Sequence, residues 1–147
     1  MRKLRKRGKN MAEIYSYMYK GKLAKKQVKS TTAMPLDKAR IWLDFNEVVG
    51  ADEDGNSNLY LFSQADIVND SQGNDVKLTE GMVVSVYDED TDQNNFPDAM
   101  LADGIIMRNT LKQYPQVKWL IQLVSHNSRY KHGLIYIYWM SDVNAQL

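Results

Sequence analysis

The sequence predicts a mainly β domain with minor α content, a small curved antiparallel sheet closing into an SH3-like or OB-like barrel, preceded by a basic N-terminal extension. Three observations carry this prediction. Apolar and polar residues alternate with period two in four segments of the body, short polar loops separate those segments, and Gly104 interrupts one of them where a strand would bend. A strongly curved sheet with apolar residues on both faces is most simply shielded by closing on itself.

Taken in order, residues 1–10 show no apolar periodicity and read as disordered. Over residues 12–29 two readings stay open. Tyr15, Tyr17 and Tyr19 alternate as in a strand, and Lys20-Gly21 would turn the chain into a second strand. A short amphipathic helix is the alternative, which Gly21 would weaken. Residues 31–36 form a linker in which Pro35 ends regular structure. The expected division is therefore a basic segment and linker over 1–35 and one domain over 36–147.

Within the body, residues 40–49 read as a strand, with Ile41, Leu43 and Phe45 on one face and Trp42, Asp44 and Asn46 on the other. Loop composition at 51–58 separates it from an apolar segment at 59–68, and 69–75 is another loop. Residues 76–78 and 82–87 are strand-like, with Glu80-Gly81 as a turn or bulge between them. After the acidic loop 88–98 come strands at 100–108, with a bend or bulge at Gly104, and at 118–123. Residues 126–133 turn the chain into a last strand at 134–140, where Ile135, Ile137 and Trp139 oppose Tyr136 and Tyr138. No helix is expected in the body.

Composition narrows the function classes. A chain of 147 residues suits one domain. The absence of cysteine removes disulfides, cysteine-based zinc sites and thiol nucleophiles, and it fits a reducing, cytoplasmic setting. No apolar run is long enough to span a bilayer. The net charge of +1 conceals a split: residues 1–30 hold 11 Lys and Arg against Glu13 alone, a net of +10, whereas residues 31–147 carry a net of −9. Basic arms of this kind engage nucleic acid or another polyanion, and here the acidic body is itself one. Met11 is an alternative start, which would remove six cations and take the net charge from +1 to −5.

The order WLDFNE (42–47), LFSQAD (61–66), LTEGMVVSVYD (78–88), DAMLADGIIMRN (98–109) and VKWLIQL (117–123) resembles short bacterial proteins of uncharacterised function, some carried on mobile gene cassettes. The resemblance covers the body and implies a small SH3-like β barrel. It implies no activity and no functional residues.

For chemistry, Asp90, Asp92, Asn94 and Asp98 fall at positions 1, 3, 5 and 9 of a calcium-loop count. Leu101 stands where a bidentate Glu belongs and Pro97 interrupts the loop, so a solvated acidic hairpin is favoured and no metal site is assigned. His126 and His132 share one turn and do not supply the three ligands of a hydrolytic zinc site. No nucleophile elbow, P-loop or dinucleotide fingerprint occurs, and no cofactor is expected. Binding residues are sought among Trp42, Asp44 and Asn46, where polar groups interrupt an apolar run, and among Tyr87, Tyr136 and Tyr138, which could form an aromatic face. Against this stands a structural role for Asp44 and Asn46, bonding loop backbone at a strand end.

The leading expectation is a non-enzymatic binding or adaptor module that neutralises a basic protein partner, as an immunity or antitoxin-like protein would. The alternatives are a nucleic-acid-associated barrel using residues 1–30 and a small enzyme using its acidic loops; the partner expected is a protein, with a second copy of the chain left open and no membrane.

Overall fold

A computed structural model describes residues 34–146. The basic segment, with its hairpin-or-helix alternative over 12–29, lies outside the described residues. Among these, nine strands precede one short helix: β1 (Ile41–Trp42), β2 (Val48–Ala51), β3 (Ser57–Ser63), β4 (Ile67–Asn69), β5 (Asp75–Lys77), β6 (Val83–Asp88), β7 (Met100–Arg108), β8 (Trp119–Val124), β9 (Tyr138–Trp139) and α1 (Met140–Asn144). The main sheet runs β1-β6-β7-β8-β3-β2, with β9 also pairing β7, and β4 and β5 form a separate hairpin. Only β1–β6 is parallel; the other pairs are antiparallel. The domain is thus mainly β, as expected. Among the described residues the sheet stays open, with β1 and β2 at its ends and no pairing that closes it into the expected barrel.

The centre of the sheet follows directly from its alternation. Met100, Ala102 and Ile106 of β7, Val84 and Val86 of β6, Trp119, Ile121 and Leu123 of β8, and Tyr60 of β3 are buried in one core cluster. These side chains point to one face because successive strand residues point to opposite faces. Gly104 does not bulge: it pairs in register with Val84 on one side and Leu123 on the other. The glycine is required by close packing instead, since a Cβ there would lie 2.6 Å from Ile121 Cγ1 and 2.9 Å from the Gln122 carbonyl oxygen.

Two expected strands are shorter. The 40–49 segment breaks after Trp42, where the Asp44 carbonyl accepts the Glu47 N–H at 2.9 Å and turns the chain into β2. Ile41, Leu43 and Phe45 nonetheless enter the core together. In the 134–140 segment only Tyr138 and Trp139 pair, leaving Leu134 and Ile135 exposed, and α1 follows at once. Asp142 in its first turn accepts the Trp139 N–H at 3.1 Å, satisfying one donor at the helix start.

Three loops share one construction. In each, an aspartate carboxylate accepts two N–H groups further along its own loop: Asp52 from Asp54 and Asn56, Asp70 from Gln72 and Asn74, Asp92 from Asn94 and Phe96. The residue three after the aspartate has positive φ, and is Gly55, Gly73 or Asn95. Such turns favour glycine or asparagine because the left-handed region is costly for other side chains.

Candidate functional site

Arg40 organises the end of the sheet where the aromatic residues gather. Its side chain is 1% exposed and ties the segment before β1 to β6, β7 and β9. Nε and Nη2 donate to the two Asp37 carboxylate oxygens at 2.8 and 3.0 Å, a bidentate pair. Nη1 donates to the carbonyls of Val86 and Ala102 at 3.1 and 3.2 Å, and Nη2 also reaches Tyr138 Oη at 3.1 Å. Burial opposes the guanidinium charge, but Asp37 and Tyr138 hold Arg40 above its ordinary value. Burial, the largest single influence, likewise opposes the charge on Asp37, but the hydrogen bond and charge of Arg40, with a backbone hydrogen bond and the Lys38 charge, together outweigh it, so that carboxyl lies below its usual range. Tyr138 passes the network on, donating to Asp103, which also accepts Ser85 Oγ at 2.7 Å.

Beside this hub, Trp42 and Tyr87 are direct partners across the parallel β1–β6 pair. Tyr87, Ala99, Leu101, Tyr138 and Met140 form a second apolar cluster, against which Met34, Leu36, Trp42, Tyr130 and Val143 pack. Burial raises the phenols of Tyr87 and Tyr138, the latter to about 12.

The acidic residues here are built into the fold. Asp88 accepts Trp42 Nε1 and the N–H of Glu89 on one oxygen and the N–H of Phe45 on the other. Asp90 accepts Trp139 Nε1 at 3.0 Å, and Asp98 accepts both the N–H and Oγ of Ser141. With Trp119 donating to Asp66, all three indoles of the chain end on an aspartate. This recurrent Trp–Asp pairing was not apparent in the sequence, because the partners lie 46 to 53 residues apart.

The expected binding residues divide accordingly. Trp42, Tyr87 and Tyr138 share the second cluster. Asp44 lies beside them but uses Oδ1 to accept the Asn46 N–H at 2.9 Å, which is the structural role weighed above, and the Asn46 side chain is exposed. Tyr136 stands apart: its hydroxyl donates to Asp52 at 2.6 Å, on the β2–β3 loop. That hydrogen bond holds the Asp52 carboxyl below its usual range. In the calcium-type loop, Asp90, Asp92 and Asp98 turn their oxygens to protein donors, and Asn94 is exposed. Among the described residues no three His, Asp or Glu side chains converge as metal ligands.

Two further features surround the sheet. A recess of about 210 Å³ is lined by Asp66, Lys77, Thr79, Glu80, Arg108, Lys118 and Trp119, with Lys118 paired to Asp66 at 2.8 Å and Arg108 stacked over Trp119 at 4.8 Å. In the 126–133 turn His132 faces Asp142 at 3.1 Å, while neither ring nitrogen of buried His126 has a hydrogen-bond partner. No helix among the described residues is long and apolar enough to cross a membrane.

Comparison of the chain with family models, with curated proteins and with solved structures finds no match.

Proposed function

We propose that this chain is a non-enzymatic binding module, working in the cytoplasm, whose acidic body engages a basic protein segment. The observation that carries the reading is the distribution of charge. Residues 31–147 have a net charge of −9. Of the acids at the turn after β1 and the loop after β6, Asp44, Asp88 and Asp90 are buried and held by protein donors, which leaves half-buried Glu47, Glu89 and Asp92 to face a partner, with half-buried Trp42 between these two segments. Lysine and arginine suit such a surface twice over, through their charge and by laying apolar stems and cations on aromatic rings.

The chain's own lead-in is the first competitor for that surface. Residues 1–30 carry +10, and Met34 and Leu36, just beyond them, pack against the Tyr87 cluster. A tether of this length holds the segment at roughly millimolar effective concentration. Each exposed ion pair contributes only about 0–1 kcal/mol, and salt screens it, so an external basic partner could displace the lead-in.

The test is a titration of the full-length protein with a fluorescent Lys/Arg-rich peptide. Saturable binding that weakens in Glu47→Lys and Glu89→Lys supports the reading; no binding, or binding indifferent to both reversals, overturns it. A second reading, nucleic-acid association through residues 1–30, is favoured by the +10 of that segment alone. It requires oligonucleotide binding with a steep salt dependence.

A further inference from the structure

We propose that residues 125–137 form a strap over the second aromatic cluster that opens when His126 takes up a proton. His126 is 8% exposed, and neither ring nitrogen has a hydrogen-bond partner. Its ring meets Tyr130 and Tyr138 edge-on, at 5.3 and 5.4 Å between centroids. Those two tyrosines stack on each other at 4.1 Å, with Arg129 over Tyr130 and Arg40 over Tyr138. Gly133 closes the remaining side, since a Cβ there would lie 2.9 Å from His126 Nε2. A phenylalanine would fill this space without burying two polar nitrogens, so packing alone does not account for a histidine. What histidine adds is a ring that can carry a proton.

The surroundings offer that proton no acceptor. On the strap itself the charged or titratable residues are Arg129, Tyr130, Lys131, His132 and Tyr136, whose hydroxyl is taken by Asp52. Across from it stand Tyr138 of β9, Arg40 with Asp37 ahead of β1, Asp103 of β7 and Asp142 of α1. Asp37 is engaged by Arg40, Asp103 by Ser85 and Tyr138, and Asp142 by Trp139 and His132. An imidazolium at position 126 would therefore be buried without a partner, against two rings that each already carry a guanidinium, an arrangement that water relieves once the strap lifts. His132 differs from His126, since its Nδ1 already faces Asp142 at 3.1 Å.

A second, independent feature makes this strap the place to open. Asn127 and Ser128 are consecutive non-glycine residues at φ 58°, in the turn closed by the Arg129 N–H to the His126 carbonyl. Left-handed backbone at both positions stores strain in the peptide that seats His126. Leu134 and Ile135 are 42% and 46% exposed and anchor the strap little, so it is held beyond them where Tyr136 and Ile137 pack against the main core and Tyr136 donates to Asp52, which leaves 125–135 as the part free to lift. Opening would lift Tyr130 from Tyr138 and uncover the cluster beneath, whatever partner the acidic end takes.

Hydrogen–deuterium exchange of the full-length protein at about pH 7.5 and about pH 5, either side of the ordinary histidine range, tests the inference. Rates are corrected for the intrinsic pH dependence of exchange, with β7 and β8 peptides as the internal reference. Exchange in the 125–137 peptides should rise about tenfold or more over that reference at the lower pH, the factor expected for one buried charge left without a hydrogen-bond partner. His126→Phe should abolish the rise and His132→Gln should keep it. Equal change in strap and reference, or an undiminished rise in His126→Phe, overturns the proposal. Should His126→Phe not fold, the other two proteins decide: loss of the rise in His132→Gln would assign the response to His132 and overturn the proposal equally.

Discussion

Replacing Arg40 by methionine removes five hydrogen bonds from a side chain that is 1% exposed while keeping most of its apolar volume. Three acceptors lose a partner at positions the fold keeps close together: the Asp37 carboxylate and the carbonyls of Val86 and Ala102. Tyr138 loses the donor to its oxygen but keeps Asp103 as an acceptor. Breaking a buried ion pair from one side costs about 3–5 kcal/mol. Asp37 is 23% exposed and regains some solvation, which points to the lower end, about 3 kcal/mol. Against a typical total of about 5–15 kcal/mol, that is a large fraction of the stability.

Urea denaturation measures the loss directly, with a lower midpoint and an unchanged slope. Acid titration supplies a second signature. Asp37 lies below its ordinary value in the folded protein, so its contribution is present above the unfolded value of 3.8 and is lost as pH falls through the folded value. Arg40→Met should flatten that acidic limb. Arg40→Lys should recover only part of the stability, because one ammonium cannot span both Asp37 oxygens and two carbonyls. A loss below about 1 kcal/mol in Arg40→Met, the worth of one ordinary hydrogen bond, would refute the assignment of Arg40 as the hub.

Other outcomes follow from individual contacts. Gly104→Ala should cost about 1–3 kcal/mol in urea melts, because its Cβ meets Ile121 and the Gln122 carbonyl inside contact distance. Ser128→Gly should raise the thermal midpoint by relieving about 1 kcal/mol of left-handed strain, and an unchanged or lower midpoint would show that no strain is held there. Calorimetric calcium titration should give no site tighter than about millimolar, and a micromolar isotherm abolished by Asp92→Ala would reverse the structural reading of the 88–98 loop. Tyr60 and Tyr138 are pushed up to about 12 by burial, so the folded state favours their neutral form. Their contribution is full below the ordinary value of 10.0 and is lost as pH rises from there towards about 12, which absorbance titration at alkaline pH would follow.

The parts of the fold that were legible in the sequence are those set by local alternation. β6, β7 and β8 carry their apolar residues at every second position, and each is long enough for the pattern to dominate. β1 and β9 are two residues each and exist because of partners elsewhere: Trp42 beside Tyr87, Tyr138 beside Leu101. An alternating run overstated both, since Asp44 turns the chain after β1 and residues 134–137 lack a strand to pair with. Gly104 showed that something special happens in β7, but a crowded Ile121 and a bend leave the same mark in sequence. The candidate site was legible only as types of residue. Trp42, Tyr87 and Tyr138 meet through a parallel pairing and a distant β9 contact, whereas Tyr136, two residues from Tyr138, is carried off to Asp52. Arg40 gave no signal, because its burial depends on partners as far as 98 residues away. The aspartate turns were in plain view as Asp52…Gly55 and Asp70…Gly73, and their recurrence explains part of the acidity without any ligand.

The claim that the acidic body receives basic protein segments is tested most directly by fluorescence anisotropy, comparing the full-length protein with the form starting at Met11. Each is titrated against a Lys/Arg-rich peptide and a random oligonucleotide at low and high salt. The account predicts that the Met11 form, with six fewer competing cations, binds the peptide more tightly, that salt weakens this binding, and that the oligonucleotide binds poorly to both. Tight oligonucleotide binding by the full-length protein alone, with no gain in peptide affinity in the Met11 form, would contradict it.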